Sequence, residues 1–173
     1  GCKEMLARLP AFGISSGGPM GAPMRAFENI GLAQVAKSAE QARDLGYLRP
    51  TDQISMNRDR LLADAKDRVL KLAEDYSPPE PHTYQLPGPS GRLALEMALN
   101  DLASSGKATP HDVVVVGELA KVLTGGDDAD VMVEIGEDEI LALERAAIAT
   151  LAKDVASLDR MEHMLATGKP LRN

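Results

Sequence analysis

The stretch Ser38-Ala39-Glu40-Gln41-Ala42-Arg43-Asp44-Leu45-Gly46-Tyr47-Leu48 decides the fold class of this chain. Ser38 is a preferred N-terminal helix cap, because its hydroxyl can accept a hydrogen bond from an orphan backbone N–H. Gly46 can adopt the left-handed conformation that ends many helices. The stretch therefore predicts a short capped helix that runs into an apolar segment, and similar start and stop signals recur along the chain.

Helical signals surround this stretch. Residues 2–9 predict a helix that the following proline stops. Residues 11–22 are rich in Gly, Ser and Pro and predict a loop. Pro23 suits the first turn of the next helix. Residues 57–76 carry apolar side chains at helical spacing and predict a long amphipathic helix.

A proline-rich segment, residues 77–91, divides the chain. Its prolines favour an extended and semi-rigid backbone, so we expect a linker between a first helical part, residues 1–76, and a second, residues 92–173. In the second part, Thr109-Pro110-His111-Asp112 combines a cap, a proline for the first turn and an acid for the positive end of the helix dipole. The β-branched run 113–116 could instead form a buried strand, but the cap favours a helix.

The remaining helix boundaries of the second part are predicted from single residues. Ser90 is expected to cap the first helix, and Gly136 with the acids that follow it is expected to open a long one. Ser157 or Asp159 is expected to open the last helix, with Gly168 as its stop. Its apolar side chains are predicted to face inward: Leu158, Met161, Met164 and Leu165.

Composition supports an all-α class and excludes several others. Hydrophobic residues make up 44% of the 173 residues and aromatics only 3%, so the core must consist mainly of aliphatic side chains. A net charge of −7 disfavours nucleic-acid binding, because the surface repels phosphates. No apolar run approaches the roughly 18 residues of a membrane helix. A single cysteine, Cys2, permits no internal disulfide, so we expect a cytoplasmic protein.

Residues that could carry chemistry are sparse. The three histidines, His82, His111 and His163, lie far apart and show no metal-ligand spacing, so surface or capping roles are expected for them. Cys2 beside Lys3 could have a lowered pKa, although a lone cysteine is more often inert. The residues themselves indicate no catalytic, cofactor-binding or metal site.

The stretch 38–48 and the opening of the chain resemble the crotonase (enoyl-CoA hydratase/isomerase) superfamily. In that superfamily the pattern S-A-x-E-A-x-x-x-G-L/F-V/L follows the active-site half of the fold, and Gln41 stands here where the pattern has Glu. The first residues, Gly1-Cys2-Lys3-Glu4-Met5-Leu6, resemble the end of the family's glycine-rich turn. The resemblance implies that residues 1–76 are the C-terminal helical part of a crotonase-like module.

Further stretches of the sequence resemble a group of large bacterial 3-hydroxyacyl-CoA dehydrogenases. In that group an NAD-binding dehydrogenase part comes first, a crotonase module follows, and a helical extension closes the chain. The matching words are Leu48-Arg49-Pro50-Thr51-Asp52, Met56-Asn57-Arg58-Asp59-Arg60-Leu61-Leu62-Ala63-Asp64-Ala65-Lys66, Leu86-Pro87-Gly88-Pro89-Ser90-Gly91-Arg92, Gly106-Lys107-Ala108-Thr109-Pro110-His111-Asp112 and Gly168-Lys169-Pro170-Leu171-Arg172-Asn173. Residues 92–173 would then be the helical extension of a multifunctional fatty acid β-oxidation protein.

The resemblance implies an NAD-dependent 3-hydroxyacyl-CoA dehydrogenase and enoyl-CoA hydratase as the parent protein, with NAD and acyl-CoA as its cofactor and substrate. Crotonases hold the thioester oxygen with two backbone N–H groups, and hydratases add two glutamates. These groups precede the glycine-rich turn in the family, and neither Glu4 nor Glu40 matches them. We therefore expect no cofactor in these residues and no activity from this chain alone.

The implied role of this chain is a scaffold, a cover over the acyl pocket or an oligomerisation surface. Its partners would be the upstream dehydrogenase and crotonase portions of its own protein and a second copy in a homo-oligomer. Crotonases place the helix after the glycine-rich turn near the acyl chain, so Met24, Phe27 and Ile30 are expected to line an acyl pocket, ordinary core packing being the alternative. The competing function is a non-enzymatic helical adaptor.

Overall fold

The computed structural model describes residues 1–12 and 18–173, and it confirms the all-α class, with 63% helix and 4% strand. The predicted loop 11–22 lies partly outside the described residues. The helices of the described part are α1 (Cys2–Arg8), α2 (Gly21–Gly31), α3 (Ala39–Asp44), α4 (Leu61–Ala73), α5 (Gly88–Ser104), α6 (Pro110–Leu123), α7 (Glu137–Leu151) and α8 (Val155–Thr167).

Two compact units divide the chain. The first contains residues 1–35 and 82–173, and the second contains residues 36–81. The first unit joins the beginning of the chain to its last half because α1 and α2 both contact α6. This grouping by contacts differs from the predicted division at the linker 77–91. The assignment of residues 1–76 to a crotonase-like module and of residues 92–173 to a helical extension rests on the family resemblance and stays a prediction.

Helix α6 is the centre of the first unit, where it contacts α1, α2, α5 and α7. Aliphatic side chains from these helices fill the core, as the low aromatic content requires. Each fully buried Leu or Ile contributes about 1.5–3 kcal/mol relative to an exposed one. The buried apolar residues include Met5, Leu6, Ala26, Phe27, Leu95, Leu99, Val116, Ala120, Leu123, Ile140 and Ala147.

A two-stranded antiparallel sheet fastens the start of α5 to the start of α7. Strand β1 (Thr83–Gln85) pairs with β2 (Glu134–Gly136), with Tyr84 opposite Ile135. The predicted extended linker therefore contains a short strand. It ends earlier than predicted, because α5 already begins at Gly88, whose backbone N–H donates to the carbonyl oxygen of Thr124.

The expected cap at Ser90 is wrong. Ser90 lies inside α5, where its hydroxyl donates to the carbonyl oxygen of Pro87 at 3.1 Å. The last helix also begins earlier than expected, because Asp154 caps α8. The Asp154 Oδ1 atom accepts from the backbone N–H groups of Ala156 and Ser157 at 2.9 and 3.2 Å.

Other predicted boundaries are confirmed. The Ser38 hydroxyl accepts from the Gln41 N–H at 3.1 Å, and Gly46 has a φ of +77°. Thr109 and Asp112 form a reciprocal capping box at the start of α6, so residues 113–116 are helical rather than a strand. Gly168 ends α8 with a φ of +70°.

The apolar faces of two helices are exposed. In the second unit, α4 buries none of its residues, and Leu62 is 82% exposed. In the first unit, the predicted inward face of α8 is wrong, because its apolar side chains point outward while Ser157 is buried. The exposed fractions are 47% for Leu158, 50% for Met161, 44% for Met164 and 88% for Leu165.

Candidate functional site

A groove of about 750 Å³ opens in the first unit, between α2, α5, α6 and the segment that follows α8. Its walls are mostly apolar, and a few charged side chains lie at its edge. This volume and lining are typical of sites that hold small organic ligands. We call it the helical groove; its apolar walls include Met24, Phe27, Leu32, Ala98, Leu99, Leu102, Val116 and Leu171.

Two of the three residues predicted to line an acyl pocket lie in the helical groove. Met24 and Phe27 line it, and Phe27 is only 3% exposed. Ile30 is half-buried and is absent from the lining. Contact of these residues with an acyl chain stays a prediction.

The floor of the groove depends on a close approach of α2 and α6. Gly31 lies at the end of α2, and a Cβ built on it would be 3.3 Å from the Cγ1 atom of Val116. Such a contact is tighter than ordinary van der Waals packing. A larger residue at position 31 would therefore have to displace Val116 and reshape the groove.

A charged network lies at one end of the groove. The Arg160 Nη1 atom is 2.9 Å from the Asp112 Oδ1 atom, and Arg160 Nη2 donates to the Thr109 hydroxyl at 3.1 Å. Arg160 Nε also donates to the Asn173 side-chain oxygen at 2.7 Å. This arginine therefore connects α8 to the start of α6 and to the residues that follow α8.

The hydrogen bonds of this network change the ionisation of Asp112. Partial burial raises the pKa of the Asp112 carboxyl, but hydrogen bonds from Thr109 and Arg160 outweigh it, so the pKa lies below its ordinary value of 3.8. A carboxyl whose pKa is lower in the folded state stabilises the fold above its unfolded pKa, and this stabilisation is lost as the pH falls.

We expect Asp112→Ala to lower the free energy of unfolding by about 1–2 kcal/mol at neutral pH, because α6 loses its capping box and Arg160 loses its partner. This cost should shrink as the pH falls below the ordinary carboxyl pKa of about 4 and toward the lower pKa of Asp112 in the folded state. Urea melts across this pH range measure it. In the control Asp138→Ala, an exposed acid in the first turn of α7 is removed, and the cost should stay within about 0.5 kcal/mol. A cost that grows on acidification would contradict the assignment.

His111 is buried, contrary to the surface or capping role expected for it. It is 6% exposed, and its Nε2 atom lies 2.9 Å from the hydroxyl of Ser157. Its Nδ1 atom lies 3.6 Å from Asp154 Oδ1, which is occupied in capping α8. Ser157 is itself 6% exposed, so its hydroxyl is not accessible to a substrate as a catalytic nucleophile would have to be. The arrangement joins α6 to α8.

Cys2 does not have the lowered pKa that its neighbour Lys3 suggested. Burial, with the Glu144 carboxylate beside it, raises the pKa of the Cys2 thiol to about 11. The Lys3 ammonium instead pairs with Glu137 at 2.8 Å. The thiol is therefore protonated at neutral pH and is a poor nucleophile.

Two further properties concern the part of the chain that the structure describes. Within residues 1–12 and 18–173, no group of three His, Cys, Asp or Glu side chains could hold a metal ion. None of the helices of those residues is both long enough and apolar enough to cross a membrane.

Comparison with known proteins identifies one informative similarity. The chain is 40% identical over 156 residues to the "Probable 3-hydroxyacyl-CoA dehydrogenase" of Bacillus subtilis (strain 168). The match covers 90% of this chain and 20% of that protein, so the chain spans about a fifth of the length of the curated relative. No family model and no solved structure matches the sequence.

Proposed function

We propose that this chain is a part of a 3-hydroxyacyl-CoA dehydrogenase of fatty acid β-oxidation, in which the helical groove contacts the acyl chain of the substrate. The observation that carries the proposal is the 40% identity, which extends over 90% of the chain to a protein of that name. The match extends over 156 of the 173 residues, so it includes the second unit and most of the first.

The chemistry of the groove suits an aliphatic chain. Phe27, Leu99 and Val116 are buried apolar residues of its walls. Each methylene group moved from water to such a surface contributes about 0.8 kcal/mol. Each methylene of an aliphatic chain that enters the groove would therefore add to the affinity without a hydrogen bond.

The remaining parts of the proposal concern the parent protein. We infer that it carries NAD-dependent dehydrogenase and enoyl-CoA hydratase chemistry on residues outside these 173, so the chain alone should turn over neither crotonyl-CoA nor 3-hydroxybutyryl-CoA. We also infer a cytoplasmic homo-oligomer, in which this helical part serves as scaffold and acyl-pocket cover. The similarity to a dehydrogenase supports the dehydrogenase chemistry of the parent protein. The other inferences rest on the family resemblance and on the composition of the chain.

A groove-filling variant tests the acyl-chain proposal. In Ala98→Phe, a ring should occupy the groove and weaken the binding of 1-octanol and octanoyl-CoA at least about tenfold, equivalent to 1.4 kcal/mol. Binding is measured by NMR of the 13C-labelled methionine methyl groups, because Met24 lines the groove whereas Met132 is 80% exposed. The Met24 signal, assigned with Met24→Leu, should shift and the Met132 signal should not.

The matched control is Ala94→Phe. Ala94 lies one turn earlier on α5, is exposed and is absent from the groove lining, so this variant should bind like the wild type. Thermal melts of both variants check that each is folded. Equal binding by Ala98→Phe and the wild type would overturn the assignment of the groove.

The exposed apolar face of α8 favours a second candidate function, a helical interaction domain without an enzymatic role. Leu165 is 88% exposed on this face, beside Met161 and Leu158. The same NMR experiment discriminates, because an adaptor has no reason to show Met24 shifts with an aliphatic ligand.

A further inference from the structure

The segment that follows α8, residues 168–173, returns to the helical groove and contributes to its wall. Leu171 lines the groove, and the next residue, Arg172, donates from Nη2 to the backbone oxygen of Lys107 at 3.0 Å. Asn173 fixes the segment by donating from Nδ2 to the carbonyl oxygen of Ala156 at 3.1 Å. Lys107 and Arg172 both line the groove, and the hydrogen bond from Arg172 places its guanidinium against the backbone of Lys107. We call these two residues the basic rim.

The two cations of the basic rim are open to solvent. The Arg172 side chain is 66% exposed, and Lys107 is exposed as well. Within the described residues, no carboxylate lies within 4 Å of the Lys107 ammonium. The carboxylate oxygen beside Arg172, Asp112 Oδ2, is 3.9 Å away, and Asp112 already forms a shorter ion pair with Arg160.

An anion bound beside Lys107 and Arg172 would interact favourably with both charges. Three acids also line the groove. The Glu28 Oε2 atom is 3.7 Å from Arg25 Nη1, Asp112 pairs with Arg160, and Asp101 is exposed. The chain as a whole carries a net charge of −7, so a local pair of cations beside an apolar cavity is a distinct feature of its surface. An amphiphile with an apolar tail and an anionic head has the matching chemistry.

We propose that Lys107 and Arg172 bind the phosphate groups of an acyl-CoA whose acyl chain lies in the helical groove. The proposal rests on the proposed function and adds the residues that recognise the head of the ligand. Phosphate oxygens accept several hydrogen bonds at once, and an arginine fork with a lysine ammonium supplies the donors. Leu171, between the rim and the apolar walls, would then face the junction of head and tail.

The test compares four probes on three proteins by the Met24 methyl signal. The probes are octanoyl-CoA, octanoate, 1-octanol and CoA alone. The proteins are the wild type, the rim variant Lys107→Ala/Arg172→Ala, and the control Arg145→Ala/Lys153→Ala. The control removes the same charges from exposed positions that do not line the groove.

We expect the rim variant to bind octanoyl-CoA about five- to twentyfold more weakly, as for two charge-assisted contacts at an exposed site. Its affinity for 1-octanol should stay within about twofold of the wild type, since no charge is involved. The control should match the wild type with every probe. Added salt should weaken octanoyl-CoA binding to the wild type and leave 1-octanol binding unchanged.

The outcomes separate the rim from the groove. If 1-octanol shifts Met24 but the rim variant binds octanoyl-CoA as tightly as the wild type, the rim proposal is wrong and the groove proposal stands. An equal loss for octanoate and octanoyl-CoA would assign the rim to a carboxylate and overturn the phosphate assignment. If neither octanol nor octanoyl-CoA shifts Met24, both proposals are wrong. Should the double variant unfold, Lys107→Glu keeps the Arg172 hydrogen bond to the backbone and should show the same loss.

Discussion

Replacing Gly88 by alanine is expected to lower the free energy of unfolding by about 3 kcal/mol or more, the sum of a left-handed backbone cost and an overpacking cost. Gly88 begins α5 with a φ of +64°. A Cβ built on it would lie 2.3 Å from the backbone oxygen of Ala129. A backbone oxygen cannot move aside as the tip of a side chain can. The start of α5 and the loop before β2 would therefore have to separate.

Gly106→Ala is the matched control for this prediction. Gly106 has a similar φ of +72°, but no atom lies within 4 Å of a Cβ built there. Its replacement should cost only the left-handed conformation, about 1–2 kcal/mol. Urea denaturation at constant temperature gives both values. Equal losses in the two variants would show that the contact with Ala129 carries no energy.

Leu123→Ala is expected to destabilise the first unit by about 2–5 kcal/mol, because it removes a fully buried side chain and leaves a cavity. Leu123 lies at the end of α6, the helix that contacts α1, α2, α5 and α7, and it is 0% exposed. Its neighbours belong to a packed aliphatic core, which can collapse only partly around the missing atoms.

The control Leu165→Ala makes the same chemical change on the exposed face of α8. Leu165 is 88% exposed, so its replacement should change stability by no more than about 0.5 kcal/mol. Urea midpoints, with the slope of each transition as a check, compare the two variants. A large loss for Leu165→Ala would mean that α8 is covered by another surface in solution.

Helix ends were predictable because their signals are local. Ser38, Thr109 and Gly168 each act on backbone groups within a few residues, so the caps and stops at these positions follow from the sequence alone. The predicted cap at Ser90 is wrong because α5 already begins at Gly88, whose N–H donates to the carbonyl oxygen of Thr124. Thr124 is distant in sequence. A cap is predictable only where no tertiary contact competes with it.

Helix faces were harder to predict than helix ends. Met161 and Leu165 of α8 are exposed, although Ser157, one turn before Met161, contacts His111 of the neighbouring α6. The partner of Ser157 is His111, 46 residues earlier, and no sequence spacing reports such a contact. A polar residue at an otherwise apolar helix position is the one local signal that could have revealed it.

The candidate site was predictable in part. Met24 and Phe27 lie one turn apart on α2, so the sequence placed them together, and both line the helical groove. Ile30 shares their periodicity but not their surroundings. The opposite wall, with Leu102 and Leu171, comes from α5 and from the segment after α8. Distant segments such as these meet only in the folded chain.

The bond between the Lys3 N–H and the Glu144 carboxylate, at 2.9 Å, closes a loop of 141 residues. Since a ribosome adds about 5–20 residues per second, Glu144 is synthesised about 7–28 s after Lys3. During that delay the apolar residues Leu6 and Leu9 have no completed core to enter. Until α7 has been synthesised, the apolar side chains of α1 are therefore only partly covered, and transiently exposed surface of this kind is prone to association.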